Sequence, residues 1–448
     1  MNFVIIGGDA AGMSAASRAK RSMPDMKVTV LEKTEDVSYS ACGMPYNIAD
    51  ENRELDDLVV RKAEVFREKQ GINLLTGHLV ESIDTNGRSV VGKIQGSGET
   101  FQYAYDKLLI ATGGRPKIPE LPGFDLPGVL ALKSLEDGRK IKAYIQVHPV
   151  KKVVIIGMGY IGMEMAEALR ERQIAVEMVK PGPDLLPWMA RDLAGVVEKE
   201  LKDNDVQLHP GCEVSRIEKS GDKLEVLCKD RSLDADLVLV AVGIKPNSEL
   251  AVDAGIDTSV GKAIAVNKTM QTSDPSVYAA GDCADAFHVV TGERVWIPLA
   301  LRANRAGWAV ADNVCGKKTK LQGIAGTAVF KVFNLQVART GLSLEEARRF
   351  GFTAEAVSIK SSSRAHNHPG ARPVWVQLVG EKKTGRMLGA QMVGSESAAH
   401  RINAAVVALH SHMTVADFIQ TDLAYAPPFG PVWDPLLTAA NQLQKRMQ

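Results

Sequence analysis

The chain has 448 residues, too many for one hydrophobic core and enough for about three domains of ~150 residues each. Its 45% hydrophobic and 24% charged residues exclude a disordered or fibrous chain. With 54 Lys and Arg against 53 Asp and Glu, the net charge of +1 supplies no general field for nucleic acid or an acidic membrane, so an anionic ligand is expected to be held locally.

In chain order, Phe3-Val4-Ile5-Ile6 predicts a buried strand that starts almost at Met1, leaving no room for a charged segment and an apolar secretion signal. The longest apolar run, Leu237 to Ile244, falls well short of the ~20 residues that span a bilayer, and a cytoplasmic location is expected. The first strand enters Gly7-Gly8-Asp9-Ala10-Ala11-Gly12, followed by a predicted helix over Met13 to Arg21. Glycines there permit a tight turn and close packing of helix on strand, while the helix N-terminus offers unpaired N–H groups and a positive dipole to a pyrophosphate. Asp9 stands where this pattern has its middle glycine. The next strand, Lys27 to Leu31, ends at Glu32, placed to accept hydrogen bonds from a ribose 2′-hydroxyl, so the first nucleotide is expected to lack a 2′-phosphate.

Cys42 follows in Ser38-Tyr39-Ser40-Ala41-Cys42-Gly43-Met44-Pro45-Tyr46. No second cysteine follows at redox-motif spacing, so no thiol near it in sequence can resolve an oxidised Cys42. Oxidised Cys42 must then be a mixed disulfide with a small thiol, a persulfide or a sulfenic acid. Its place at a helix start predicts a depressed pKa and a reactive thiolate. The five cysteines are Cys42, Cys212, Cys228, Cys283 and Cys315, an odd number without C-x-x-C or Cys/His spacing, so neither a structural disulfide nor a metal site is expected.

Leu108 to Gly114 predicts another buried strand, ending at Thr112-Gly113. The nucleotide plan then returns: strand Val153 to Ile156, turn Gly157-Met158-Gly159-Tyr160-Ile161-Gly162, helix Met163 to Arg170. One such fingerprint is a weak signal; two, each between strand and helix, make a strong one. The strand Ile174 to Val179 leads to Lys180 where an acid would read a ribose, which points either to a 2′-phosphate and NADPH or to a solvated lysine. Leu237 to Gly243 and Ser276 to Asp282 read as further parallel strands, with Asp282 placed to bond a polyhydroxyl chain or to cap a helix. Beyond about residue 325, alternating strands such as Ala328 to Phe333 and Val374 to Leu378 precede amphipathic helices, one of which is expected to hold His410 and His412 on opposite faces.

Together the two fingerprints, the Thr112-Gly113 turn, the strand ending at Asp282 and the redox cysteine resemble the two-dinucleotide-binding flavoprotein disulfide reductases, over essentially the whole chain. Dithiol members of that group carry a resolving cysteine five residues on, where this chain has Asn47, so Cys42-Gly43-Met44-Pro45-Tyr46 looks like the single-cysteine branch of coenzyme A-disulfide reductases, NADH-dependent persulfide reductases and NADH oxidases and peroxidases. Asp422-Leu423-Ala424-Tyr425-Ala426-Pro427-Pro428-Phe429 resembles the first two groups. The resemblance implies an α/β chain with two Rossmann-like, glutathione-reductase-like domains and a C-terminal α+β dimerisation domain. Residues 1–118 and 245–322 would bind FAD, 119–244 NAD(P)H, and 323–448 a second copy. It further implies FAD contacts at Gly7, Gly8, Ala10, Ala11, Gly12, Glu32, Lys33, Thr112, Gly113, Asp282, Pro298, Leu299 and Ala300. NADH or NADPH would meet Gly157, Gly159, Tyr160, Ile161, Gly162, Glu164, Lys180 and Gly243, with Tyr160 and Glu164 shaping the nicotinamide pocket. A coenzyme A substrate would meet Ser14, Ala15, Ser17, Arg18, Arg21, Ser38 and Asn304, and Tyr425 would reach the active site of the other subunit in a homodimer.

Arg18, Lys20 and Arg21 also suit a helix C-terminus on dipole grounds alone. Departures narrow the branch. Ala10 stands where peroxidases and water-forming oxidases carry histidine, which disfavours peroxide reduction. Ala41, Trp433 and Asn367-His368 stand where coenzyme A-disulfide reductases have other residues, which leaves persulfide or polysulfide open as acceptor. An oxygen-using NAD(P)H oxidase and a non-enzymatic redox-sensing flavoprotein are the competing readings.

Overall fold

The computed structural model describes all residues, 1–448. Asn2–Ile6 lies at the centre of a parallel five-stranded sheet, between Lys27–Leu31 and Lys107–Ile110, with Asn73–Leu75 and Val277–Ala279 at the edges. The central strand is buried on both faces, which is why Phe3 to Ile6 reads as an unbroken apolar run rather than an alternating one. A second parallel sheet is built the same way around Lys152–Ile156, flanked by Ala175–Lys180 and Leu237–Val240, with Val206–Pro210 and Val129–Ala131 outside. Two short strands, Gly114–Pro116 and Ile244–Pro246, pair antiparallel where the chain passes out of and back from this second unit.

The last sheet is antiparallel, in the order Ala328–Val332, Leu335–Gly341, Met387–Gly394, Pro373–Glu381, Ala354–Ser362. Helices Ala398–His410 and Pro435–Met447 cover it, and Met387–Gly394 is buried along its whole length. His410 ends the first of these helices, so His412 is not on it. His412 takes φ 53° and its Nδ1 sits 2.8 Å from an Arg386 guanidinium nitrogen.

Both nucleotide helices begin earlier than the sequence suggests, at Ala10 and Tyr160, because the last three residues of each glycine turn already form the first helical turn. Gly7 (φ 110°) and Gly157 (φ 114°) take the left-handed conformation that reverses the chain out of each strand. The expected strands around Thr112, Val242 and Asp282 end sooner, at Ile110, Val240 and Ala279, so the small residues after them lie beyond the sheet edge.

The expectation of unpaired structural cysteines fails for two of them. Cys212 and Cys228 are joined in a disulfide, with Cα atoms 5.7 Å apart. The hairpin of Val214–Ser220 and Lys223–Cys228 places Cys228 opposite Val214, and hence beside Cys212. Linear spacing carries no trace of that register. No helix is long and apolar enough to cross a membrane, and no three His, Cys, Asp or Glu side chains converge as metal ligands would.

Candidate active site

The site begins with backbone. Asp9 precedes the first nucleotide helix, Gly159 the second and Leu299 the helix Ala300–Val314, and none of the three caps its helix with a side chain. Ser134, Ser343, Thr414 and Asp434 do cap theirs, satisfying N–H groups at about 1 kcal/mol each. Each of these three helices, which start at the sheet ends, leaves its first N–H groups without a side-chain cap and so available to an anion. Beside them there is space: a Cβ added to Gly113 (φ 68°), Gly159 or Gly243 (φ 106°) would meet nothing within 4 Å. Open backbone at the carboxyl ends of two parallel sheets, beside uncapped helix N-termini, is a cradle that fits two dinucleotides such as FAD and NAD(P)H.

Glu32 is buried beyond the end of Lys27–Leu31 and accepts from Gly8 N at 2.7 Å and Thr34 N at 2.8 Å. This ties the glycine turn to the ribose-reading position; Lys33 beside it is exposed. Asp282 pairs with Lys133 at 3.0 Å rather than capping a helix. Thr112 and Asn247 bond each other's backbone, Thr112 Oγ1 to Asn247 O at 2.6 Å and Asn247 Nδ2 to Thr112 O at 2.8 Å. This stitch holds Gly113 and Gly243 at the junction between the two sheets. Pro298 and Leu299 lie half-buried just ahead of Ala300.

Ala300–Val314 packs tightly on Ala10–Ser22 because both present small residues, and a Cβ on Gly307 would overlap the Ala11 carbonyl. The crossing brings together Ser14 and Asn304, whose side chains share a 2.6 Å hydrogen bond. The expected substrate face divides here. Ala15 is 0% exposed and Ser17 is buried, so their side chains face the core, whereas Ser14, Arg18 and Arg21 recur at helical spacing on the outer side. Arg18 is not a free cation: it forms a two-pronged pair with Asp312 at 2.7 and 3.0 Å and lies over the Trp308 ring. Lys20 is held by the carbonyls of Pro24 and Met26.

Cys42 sits in the single turn Ala41–Gly43 that runs into the helix Met44–Ala49. Ser38 (φ 50°) donates its N–H to Gly8 O at 3.1 Å, fastening this loop to the glycine turn. Asn47, at the resolving-cysteine position, is buried and donates to Glu54 O at 2.6 Å. Lys142 is buried under the same helix and donates to carbonyls of Asp50 and Arg53, a cation at a helix C-terminus. Of the free cysteines, Cys42 is exposed, Cys315 half-buried and Cys283 buried.

The thiol does not have the depressed pKa expected from its helix start. Burial pushes it up, the Glu164 carboxylate pushes it further, and Lys133 opposes them. Glu164 itself is pushed up to about 7, chiefly by burial, and accepts a hydrogen bond from Tyr46 Oη at 3.2 Å. Tyr160 packs on Phe330 with ring centres 4.7 Å apart and edge-on to Trp188, while Ile161 is exposed beside it. Lys180 Nζ donates to the Asp184 carbonyl, and burial lowers its pKa. Tyr425 is 49% exposed, its hydroxyl makes no hydrogen bond within the chain, and Phe429 and Trp433 nearby are more exposed still.

Asp9 adds a pH dependence. Its Oδ1 is buried without a partner, and burial raises its pKa from 3.8 to about 6, against the opposing pull of Lys133. Between those values the folded chain holds more protons at Asp9 than the unfolded chain, so its contribution to stability falls as pH rises through that window. Above it the ionised carboxylate costs about 2–3 kcal/mol. Asp9→Asn should therefore raise the Tm of the flavin-free protein at about pH 7.5 and leave it nearly unchanged near pH 4. Thermal melts at the two pH values check this; no gain at the higher pH would contradict it.

Comparison with known proteins agrees with this geometry. Residues 1–307 match the pyridine nucleotide-disulphide oxidoreductase family, and residues 327–435 match that family's dimerisation domain. The exposed apolar side chains of the C-terminal segment accord with a homodimer. The chain is 40% identical over 442 residues to the NAD(P)H coenzyme A polysulfide/persulfide reductase of Pyrococcus horikoshii, covering 98% of each. It is 33% identical over 450 residues to an NADH oxidase of Methanocaldococcus jannaschii, covering 100% of this chain and 99% of the relative. A NAD-dependent persulfide reductase from A. fulgidus superposes with a TM-score of 0.96 at 36% identity, over 100% of this chain and 83% of that one. With a duplicated dinucleotide cradle, an exposed thiol between its halves and family matches along almost its whole length, this chain belongs to the pyridine nucleotide-disulphide oxidoreductase family, whose members use FAD and NAD(P)H.

Proposed function

We propose that the protein is an FAD-dependent NAD(P)H:disulfide oxidoreductase that reduces coenzyme A disulfide or a coenzyme A persulfide or polysulfide through Cys42. The observation that carries this reading is the pairing of an exposed Cys42 with a buried, hydrogen-bonded Asn47 where a second thiol would stand. Resolution then comes from a sulfur outside the chain. The relatives named for coenzyme A persulfide and coenzyme A disulfide reduction support the choice of thiol.

The first glycine turn, Glu32 and the Thr112–Asn247 stitch would hold FAD in the first site, and the second glycine turn with Glu164 and Lys180 would hold NAD(P)H. Bound FAD supplies hydride acceptance from NAD(P)H and an electron pair for the disulfide at Cys42. Cys42 thiolate attacks the acceptor sulfur, forming Cys42–S–S–coenzyme A and releasing a thiolate, or hydrosulfide when the acceptor is the persulfide. Reduction of that mixed disulfide restores Cys42 and frees coenzyme A, so each turnover consumes one NAD(P)H and one proton. Ser14, Asn304 and Arg21 remain on the outer helix face for the coenzyme A moiety. Tyr425 of the partner subunit donates a hydrogen bond to the leaving sulfur, a role its unpartnered hydroxyl and exposed apolar neighbours support.

Anaerobic NAD(P)H oxidation with coenzyme A disulfide, coenzyme A persulfide and, separately, oxygen tests the reading. Turnover with either sulfur acceptor, faster than with oxygen, is expected; turnover with oxygen alone would replace it with the oxidase reading that the 33% identical NADH oxidase represents. Lys180 favours NADPH, since it stands where an acid would read the ribose 2′-hydroxyl. Lys180→Ala should raise KM for NADPH by about tenfold while KM for NADH stays constant, as loss of one charge-assisted contact predicts. Equal effects on both nucleotides would remove Lys180 from that role.

A further inference from the structure

One carboxylate near the redox thiol has no cationic partner. The Cys42 turn continues into Met44–Ala49, which places Tyr46 about one turn beyond the thiol. Its hydroxyl reaches 118 residues along the chain to Glu164 in the second nucleotide helix, Tyr160–Glu171, at 3.2 Å. That is the one hydrogen bond Glu164 makes, and no Lys or Arg pairs with it. Glu167, one turn on, is already engaged by Lys331 and by Phe333 N at 2.7 Å.

The other charges that face Cys42 are Lys133, Asp282 and Asp9. Lys133 and Asp282 form a pair at 3.0 Å and act on the thiol in opposite directions. Asp9 is screened by the same lysine and has the smallest effect on the thiol of these groups. Glu164 has the largest charge effect on the thiol, and it is fixed by a phenol that orients it without neutralising it. Tyr46 stays neutral because burial and Glu164 both push its pKa up.

We propose that Glu164, held by Tyr46, is a positioning residue for the Cys42 chemistry: its negative charge keeps the resting thiol protonated, and its uptake of a proton releases the thiolate. In that step one S–H bond breaks, one carboxyl O–H bond forms, and no atom changes oxidation state. The two groups thus titrate as a coupled pair. A thiol kept neutral between turnovers resists oxidation to sulfenic and sulfinic acid, which matters for an enzyme with no second cysteine to rescue it. The inference rests on Cys42 being the reactive thiol and on no particular acceptor.

The test is the pH dependence of Cys42 alkylation by iodoacetamide in the FAD-loaded protein, read by mass spectrometry, with flavin absorbance as the check on integrity. Glu164→Gln should lower the alkylation midpoint by about one unit, giving about tenfold more thiolate above about pH 8, where Glu164 is ionised, and a smaller gain near neutral pH. Glu164→Asp keeps the charge and should keep a midpoint close to that of the unaltered protein. Tyr46→Phe removes the bond that favours the ionised carboxylate and should lower the midpoint by less than Glu164→Gln does. An unchanged midpoint in Glu164→Gln, or equal shifts in the Gln and Asp variants, would overturn the proposal. Alkylation needs no turnover, so a wrong acceptor is exposed by the anaerobic assay and leaves this result untouched.

Discussion

Cys42→Ser should bind FAD and accept hydride from NAD(P)H at the normal rate, yet lose reduction of coenzyme A disulfide or persulfide by a factor on the order of 10³ or more. Neither glycine turn involves this side chain, and the turn Ala41–Gly43 is short enough for serine to replace cysteine without repacking. A serine hydroxyl, however, forms no disulfide, and neither remaining free thiol stands in for it. Cys283 is fully buried, and Cys315 lies at the far end of Ala300–Val314 beside Lys317 and Asp312. Stopped-flow flavin reduction and steady-state turnover separate the two half-reactions. Loss of flavin reduction would place Cys42 in cofactor binding, and retained turnover would remove it from the chemistry.

Substitutions in the two glycine turns should divide the cofactors between the sheets. A Cβ at Gly12 would overlap the Gly7 carbonyl oxygen, a backbone atom that cannot swing aside. The helix Ala10–Ser22 would have to lift from Asn2–Ile6, at about 2–4 kcal/mol by analogy with other overpacked sites. Gly12→Ala should therefore purify without flavin. At Gly162 the added Cβ meets the Gly157 oxygen at 2.6 Å and the end of the Met178 side chain at 3.3 Å. Gly162→Ala should keep its FAD while KM for NAD(P)H rises by at least about tenfold, in keeping with ~1–2 kcal/mol of distortion at that turn. Flavin absorbance of the purified variants and nucleotide titrations check both; flavin retained in Gly12→Ala, or lost in Gly162→Ala, would contradict the assignment.

The parts of this molecule that the sequence discloses are those set by local chemistry. Two glycine turns, each between an apolar strand and a helix, announce themselves because close strand–helix packing admits no side chain there. Cys42 stands out because the residue five positions on is Asn47. Contacts between distant segments left no such mark. Cys212 and Cys228 look unrelated until a hairpin register sets Cys228 opposite Val214. The Arg18–Asp312 pair spans 294 residues and takes up a cation that the sequence offers to a phosphate. Ala15 and Ser17 belong to a run that resembles a substrate-contacting helix, but the helical period turns them to the core while Ser14 stays outside with Asn304. The roles of Tyr46, Asn247, Lys133 and Lys142 have no local signature because their partners lie about 90 to 150 residues away in the chain. Helical spacing between Cys42 and Tyr46 was the one local hint.

The depressed thiol pKa failed for the same reason. A helix start predicts stabilisation of a thiolate, but desolvation by packed neighbours opposes it, and Glu164 arrives from the second nucleotide helix to add to that effect. At this surface-accessible thiol, desolvation by its neighbours and the facing carboxylate outweigh a helix of six residues.

The central claim is that Cys42 completes its redox cycle with a sulfur from outside the chain. Intact mass spectrometry under non-reducing conditions, after the protein has been mixed with coenzyme A disulfide, reads this directly. One added coenzyme A per chain, mapped to the Cys42 peptide and removed by NAD(P)H, is the predicted result. A chain that gains only oxygen at Cys42, or carries its adduct on another cysteine, would contradict the account.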